Sequence, residues 1–141
     1  MTFPRSAHDS THGLIYFARM LDKMRLFRAG QLPPEYLPFI GDGFDGRICR
    51  FLQVDYAAVR DRAAQGGTDE EILEWCFARG RRPTEEEILV WNKYAGKTGW
   101  RDEDTGATGR LEKNKAGSGF AGRADILTFF DYYDYDEGRR S

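Results

Sequence analysis

One short pattern occurs twice in this chain, and it dictates helix. Thr68-Asp69-Glu70-Glu71-Ile72-Leu73-Glu74-Trp75 and Thr84-Glu85-Glu86-Glu87-Ile88-Leu89-Val90-Trp91 lie 84 − 68 = 16 residues apart. Thr followed three places on by Glu is the spacing at which a hydroxyl and a carboxylate satisfy each other's free backbone N–H groups, so each copy starts a helix. Each copy ends on a glycine, Gly80 or Gly96, where a left-handed residue can close a helix. The link Arg81-Arg82-Pro83 is short. Two helices of about three turns joined so tightly are expected to pack antiparallel, as a central helical hairpin over residues 68–96.

A chain of 141 residues is the size of one ordinary domain and buries roughly two thirds of its unfolded surface, so it needs no disulfide or metal to hold its core. The expected organisation is an N-terminal tail over 1–9, a single helical domain over 10–138 and a C-terminal tail over 139–141. A formal net charge of −2 supplies no global attraction to nucleic acid or to an anionic membrane. Cys49 and Cys76 each sit in an apolar helical pattern, where a free thiol behaves as a small hydrophobe and a structural disulfide is not expected. The start, Met1-Thr2-Phe3-Pro4-Arg5-Ser6, has no apolar leader, and the longest apolar run, Leu14 to Ala18, is far too short to cross a bilayer. A cytoplasmic protein is expected.

Ser10 or Thr11 offers an N-cap for a helix running to about Ala29, stopped by Gly30 and Pro33-Pro34. On it Leu14, Phe17, Ala18, Leu21 and Met24 share one face, while Arg19, Asp22 and Lys23 share the opposite one. Ile15, Tyr16, Leu26 and Phe27 flank those charges, so the charged strip is expected to be covered and the helix to be central. Asp45 is read as the cap of a helix through Ile48, Phe51 and Leu52, and Asp55 as the cap of the next, with Tyr56, Val59 and Ala63 inward and Gly66-Gly67 as its end. A short helix is expected around Arg110–Lys115. Ile126, Phe129, Phe130 and Tyr133 follow the i, i+3, i+4, i+7 rule of a last helix before Gly138. No stretch alternates apolar and polar long enough to be a strand. The expected fold class is therefore all-α, an irregular bundle of about six helices.

Several stretches taken together resemble a known family. They are Tyr16-Phe17-Ala18-Arg19-Met20-Leu21-Asp22-Lys23-Met24-Arg25, Gly43-Phe44-Asp45-Gly46-Arg47, Arg50-Phe51-Leu52-Gln53-Val54-Asp55-Tyr56, Glu71-Ile72-Leu73-Glu74-Trp75-Cys76-Phe77, Phe129-Phe130-Asp131 and Asp136-Glu137-Gly138-Arg139. They are similar to a bacterial family catalogued as domain of unknown function 5069, over nearly the whole chain. The resemblance implies a single domain of this length and brings no activity and no site with it. At Thr105-Gly106-Ala107-Thr108-Gly109 the chain departs from the more helix-favouring stretch of that family, which counts against the helix at 110–115.

The candidate chemistry is sparse. Arg19, Asp22, Lys23 and Arg25 form the densest charge group on the first helix, with Asp22 three residues from both Arg19 and Arg25. One reading is an ion-pair strip that ties this helix to acidic residues of another, such as Asp131 or Asp134, since covered ions persist when paired. The other is an anion site in which Arg19, Lys23 and Arg25, with Arg47 and Arg50, grip a phosphate or carboxylate. Gly41-Asp42-Gly43-Phe44-Asp45-Gly46-Arg47 and Gly117-Ser118-Gly119-Phe120-Ala121-Gly122-Arg123 both read Gly-x-Gly-Phe-x-Gly-Arg. No strand precedes either, so they are read as two matching helix entrances and not as a dinucleotide fingerprint.

Ile48 to Arg62 has the spacing of a helix-turn-helix that would present Arg60 and Arg62. Asp55 and Asp61 beside those arginines, and Gln53 where that motif favours glycine, argue for a packing corner. His8 and His12 are four apart without a third ligand nearby, so no metal is expected. Asp131, Asp134, Asp136 and Glu137 have the wrong register for a calcium loop. No catalytic residue and no cofactor is indicated.

Three functions follow. The first is a non-catalytic binding or interaction module, joining a partner protein or a second copy through the ring cluster Phe129, Phe130, Tyr132, Tyr133 and Tyr135. The second is an enzyme or ligand-binding protein for an anionic metabolite, using Arg19, Asp22, Lys23, Arg25, Arg47 and Arg50. The third is nucleic-acid binding through Arg60 and Arg62.

Overall fold

The computed structural model describes residues 2–141, so Met1 of the expected tail lies outside the described residues. Among them are seven α-helices, one 3-10 helix and a ribbon of two two-residue strands. The chain is all-α apart from that ribbon. It divides into two compact units, one up to Val90 and one from Trp91.

The first unit is organised around α1, Phe17–Arg28. The expected start at Ser10 or Thr11 is wrong: Ser10–Thr11 (β1) and Leu14–Ile15 (β2) pair antiparallel instead, with Thr11 opposite Leu14. The reason lies in His12 and Gly13, whose φ angles are 48° and 79°. Two successive positive φ angles make the type I′ turn, whose twist suits a two-residue hairpin. Residues 4–9, expected on the surface, are tied down as well. Ala7 is fully buried and its carbonyl accepts the Tyr16 N–H at 3.1 Å.

Along α1 the buried residues include Arg19 and Lys23 beside Phe17, Met20, Leu21 and Met24. The charged strip is covered, as the apolar residues on both its flanks imply. α2 (Phe44–Leu52) and α3 (Tyr56–Ala64) meet at Gln53, which takes the left-handed conformation, φ 58°, that glycine would adopt more cheaply. Asp55 does stand at the N-cap of α3, whereas α2 is entered from Gly43, and Asp45 lies inside its first turn. Between α1 and α2 a 3-10 helix, Pro34–Phe39, crosses the proline-rich stretch.

Both repeated caps form. In α4, Asp69–Arg79, the Thr68 N–H donates to the Glu71 carboxylate at 3.0 Å and the Glu71 N–H donates to the Thr68 hydroxyl at 3.1 Å. In α5, Glu85–Lys97, the same pair between Thr84 and Glu87 measures 2.9 and 3.1 Å. Burial then separates the copies. α4 buries Ile72, Leu73, Cys76 and Phe77 and packs on α1, α3 and the ribbon, so these elements, and not mainly α5, cover its apolar face. In the second copy Leu89 and Val90 stay 48% and 60% exposed.

The expected stop at Gly80 has a tertiary cause. A Cβ there would lie 2.0 Å from the Leu52 carbonyl oxygen. Arg81 beside it donates its N–H to that oxygen at 3.0 Å and its Nε–H to the Phe51 carbonyl at 2.9 Å, which satisfies the end of α2. Gly96 is no stop, because α5 runs on to Lys97 and the turn falls at Gly99, φ 103°.

The second unit holds α6 (Ala107–Gly117) and α7 (Phe129–Asp136), which pack on each other. α6 begins inside the stretch that counted against it. Gly106 takes φ 79°, and Thr108 braces the turn by accepting the Asp102 N–H and donating to the Gly99 carbonyl, each at 2.7 Å. α7 starts from a Thr128 hydroxyl that accepts the Asp131 N–H. The second glycine echo opens no helix. Gly119 and Gly122, φ 85° and 78°, turn the chain after α6, well before α7.

Candidate functional site

The charged candidates of the first unit take different partners. Lys23 turns inward to Asp45, with Nζ 2.9 Å from Oδ2. Arg25 turns to Asp69 at the start of α4, 2.7 Å away, and lies 3.6 Å from Asp22. Asp22 also accepts the Arg5 N–H at 3.0 Å, and the Arg5 guanidinium reaches Asp69 at 3.1 Å. Arg19 is buried; it donates to the Arg5 carbonyl at 3.1 Å and stands over the Tyr36 ring. Arg47 and Arg50 are exposed on α2. Asp45 and Asp69 thus pair with α1, and the sequence had singled out neither as a partner.

Asp45 is the centre of a buried polar group. Its side chain is fully buried and accepts three hydrogen bonds, from Lys23 Nζ at 2.9 Å, the Tyr16 hydroxyl at 2.7 Å and the Gly41 N–H at 3.0 Å. A buried ion pair persists when geometry is good and the remaining lone pairs are satisfied, as here. Tyr16 adopts φ 77° and ψ −30° at the N-cap of α1. A non-glycine residue held there costs on the order of 1–3 kcal/mol and persists only where its surroundings over-determine it. The bond to Asp45, the N–H bond to Ala7 and a ring contact with Phe44 at 5.5 Å do so. Tyr16 and Lys23 stand seven residues apart, two helical turns, and that spacing was the available signal for the group.

Beside this group lies a cavity of ≈ 600 Å³ between α1, the 3-10 helix and α3. Its walls are mainly apolar: Met24 and Phe27 from α1, Leu37 and Ile40 from the 3-10 stretch, Tyr56, Ala63 and Ala64 from α3. The charged lining residues are Arg25, Arg28, Arg60 and Asp61. Two of the arginines are committed, Arg25 to Asp69 and Arg60 to Asp61 at 3.2 Å. Arg28 differs. It donates to the Ala64 carbonyl at 2.6 Å, and no described carboxylate stands within ion-pair distance of it. Tyr56 lies with its ring against Gly41, where a Cβ would come within 3.3 Å of it. Burial, with the nearby Asp45 charge adding to it, raises the Tyr56 phenol well above its ordinary range. It remains a hydrogen-bond donor at any ordinary pH. Neither Arg28 nor Tyr56 was a candidate from the sequence. No local signal marks them, since the walls come from three separate stretches.

The remaining candidates fall elsewhere. Phe129, Phe130, Tyr132 and Tyr135 are buried and Tyr133 half-buried, so α7 holds its rings inward where the interface reading needed them outside. The Tyr132 hydroxyl sits 2.5 Å from the Ser118 hydroxyl and 3.2 Å from the Asn114 carbonyl. Asp134 and Glu137 are buried beside Arg139, and Asp131 pairs with Arg140 at 3.3 Å. Arg62 donates to the Gly66 carbonyl at 2.7 Å. His12 occupies the ribbon turn, 3.7 Å from Glu74, and not a helical face shared with His8. Among the described residues no three His, Cys, Asp or Glu side chains gather as metal ligands. Burial pushes the Cys49 and Cys76 thiols up to about 12, which keeps both as protonated thiols. No described helix is long and apolar enough to cross a membrane.

These features define a small helical protein with a buried Tyr–Asp–Lys group and a ligand-sized apolar cavity whose rim carries an uncommitted arginine. The chain belongs to the family described as Domain of unknown function (DUF5069), whose model matches residues 1–139. No curated protein matches it.

Proposed function

We propose that this protein is a non-catalytic binding module for a small anionic molecule held in the cavity between α1, the 3-10 helix and α3. The observation that carries the reading is Arg28, a guanidinium at the cavity with no carboxylate partner among the described residues and a single hydrogen bond, to Ala64. Guanidinium groups match carboxylate and phosphate oxygens in a fixed fork, so an uncommitted one at a concave apolar site favours an anion. The volume falls within the range of about 300–1,000 Å³ typical of small-molecule sites. Both cysteines being protonated thiols supports binding over nucleophilic chemistry. Docking through the α7 rings has less support, because four of the five are buried.

The test is a thermal-shift screen of the intact chain against carboxylate- and phosphate-bearing metabolites, run in parallel on Arg28→Ala. A ligand at 100 times its dissociation constant stabilises the fold by about 2.7 kcal/mol, an effect expected for the native protein and absent in the variant. A screen in which no anion shifts the native protein, or in which the variant responds equally, refutes the reading.

A further inference from the structure

The same cavity narrows the class of anion, an inference that rests on the binding reading above. A compact polyanion such as a nucleotide or a phosphorylated sugar needs several free cations and a polar wall. This cavity has neither. Arg25 and Arg60 are already neutralised by Asp69 and Asp61, which leaves one uncommitted positive charge, on Arg28. A phosphate monoester carries about −1.5 to −2 at neutral pH, whereas a carboxylate carries a single charge and presents two oxygens to one guanidinium. Tyr56 stands at the other end of α3 from Ala64, the residue that Arg28 bonds, so the head group has the guanidinium as its one charged partner.

The rest of the lining includes Met24, Leu37, Ile40 and Ala63, which offer nothing to a polar body. At the rim the apolar surface continues outward, with the lining residues Phe27 52% and Leu37 47% exposed. Such exposed apolar surface around a concave site marks a place where something apolar is covered.

We infer that the ligand is a monocarboxylate with an extended apolar body, its head on Arg28 and its tail along Met24, Leu37 and Ile40. The match is one charge to one charge, and apolar chain to apolar wall. The body can be alkyl or aryl, and the molecule arrives free in solution and not as part of a membrane.

Isothermal titration of the intact protein with decanoate, below its aggregation concentration, is the first arm. Decanol, inorganic phosphate and adenosine monophosphate are the second, and sedimentation with phosphatidylglycerol vesicles is the third. Expected are saturable decanoate binding, at least tenfold weaker decanol binding, and no response to the two phosphates or the vesicles. Arg28→Ala should weaken decanoate at least tenfold while leaving decanol unchanged. Ile40→Trp, at a half-buried lining position that takes no part in the Arg28 bond, should fill the cavity and abolish binding. Decanol binding as tightly as decanoate overturns the head-group assignment. Phosphate compounds binding while decanoate does not overturns the ligand class and leaves the broader anion reading standing. Vesicle capture without decanoate binding replaces the cavity with a lipid surface; no binding by any probe removes the monocarboxylate assignment, and the broader anion reading falls with it only when the metabolite screen is silent as well.

Discussion

Asp45→Asn is the most informative single change in the first unit. It keeps the size and an acceptor oxygen for Tyr16 or Gly41, but takes the carboxylate away from a buried Lys23 ammonium 2.9 Å off. Breaking a buried pair by removing one charge costs about 3–5 kcal/mol, because the surviving charge is stranded in a poorly polarisable interior. The protein as a whole is expected to hold only about 5–15 kcal/mol. At this chain length the loss corresponds to a fall in Tm of roughly 10–20 °C.

Lys23→Met should cost less, since the Asp45 carboxylate keeps its bonds to the Tyr16 hydroxyl and the Gly41 N–H. The double variant Lys23→Met with Asp45→Asn strands no charge, so it should be more stable than the sum of the two losses predicts. The coupling should be at least about 1 kcal/mol for groups in direct contact. Urea unfolding of all four proteins, with unchanged slopes, gives the cycle. An Asp45→Asn loss below about 1 kcal/mol, or a coupling within about 0.5 kcal/mol of zero, refutes the buried-pair reasoning.

Gly80→Ala places a methyl 2.0 Å from the Leu52 carbonyl oxygen, a backbone atom that cannot swing aside. Chemical denaturation should show a loss on the order of 3 kcal/mol, the upper end of ordinary overpacking, whereas Gly117→Ala, with nothing within 4 Å of its Cβ, should be nearly silent. Glu71 and Glu87 titrate below the usual carboxylate range, chiefly because the Thr68 and Thr84 backbone N–H groups donate to them. A carboxylate lowered in the folded state contributes stability that is complete above its unfolded pKa and fades as pH falls through the folded one. Melting curves between pH 6 and pH 3 should accordingly fall less for Glu71→Gln with Glu87→Gln, which keeps an amide acceptor at each cap, than for the native chain.

The two helix starts were legible because a capping box is closed within four residues. Thr68 with Glu71 and Thr84 with Glu87 need no information from elsewhere in the chain. The covering of Arg19 and Lys23 was legible too, since apolar residues flank their strip on both sides. His12-Gly13 was missed as a turn because a histidine at positive φ is an uncommon choice beside the usual Asn-Gly.

What covers each helix was decided at longer range. Two copies of one pattern came to different burial, Leu73 fully buried and Leu89 half exposed, because α1, α3 and the ribbon lie across one of them. Asp45 meets Lys23 across 22 positions and Tyr16 across 29, and the cavity draws its walls from stretches near residues 24, 37 and 60. A local pattern sets which residues prefer a helix and where it starts. Which charge meets which, and where a hollow is left, depends on how helix faces come together, and that is settled only when the packed chain closes around them.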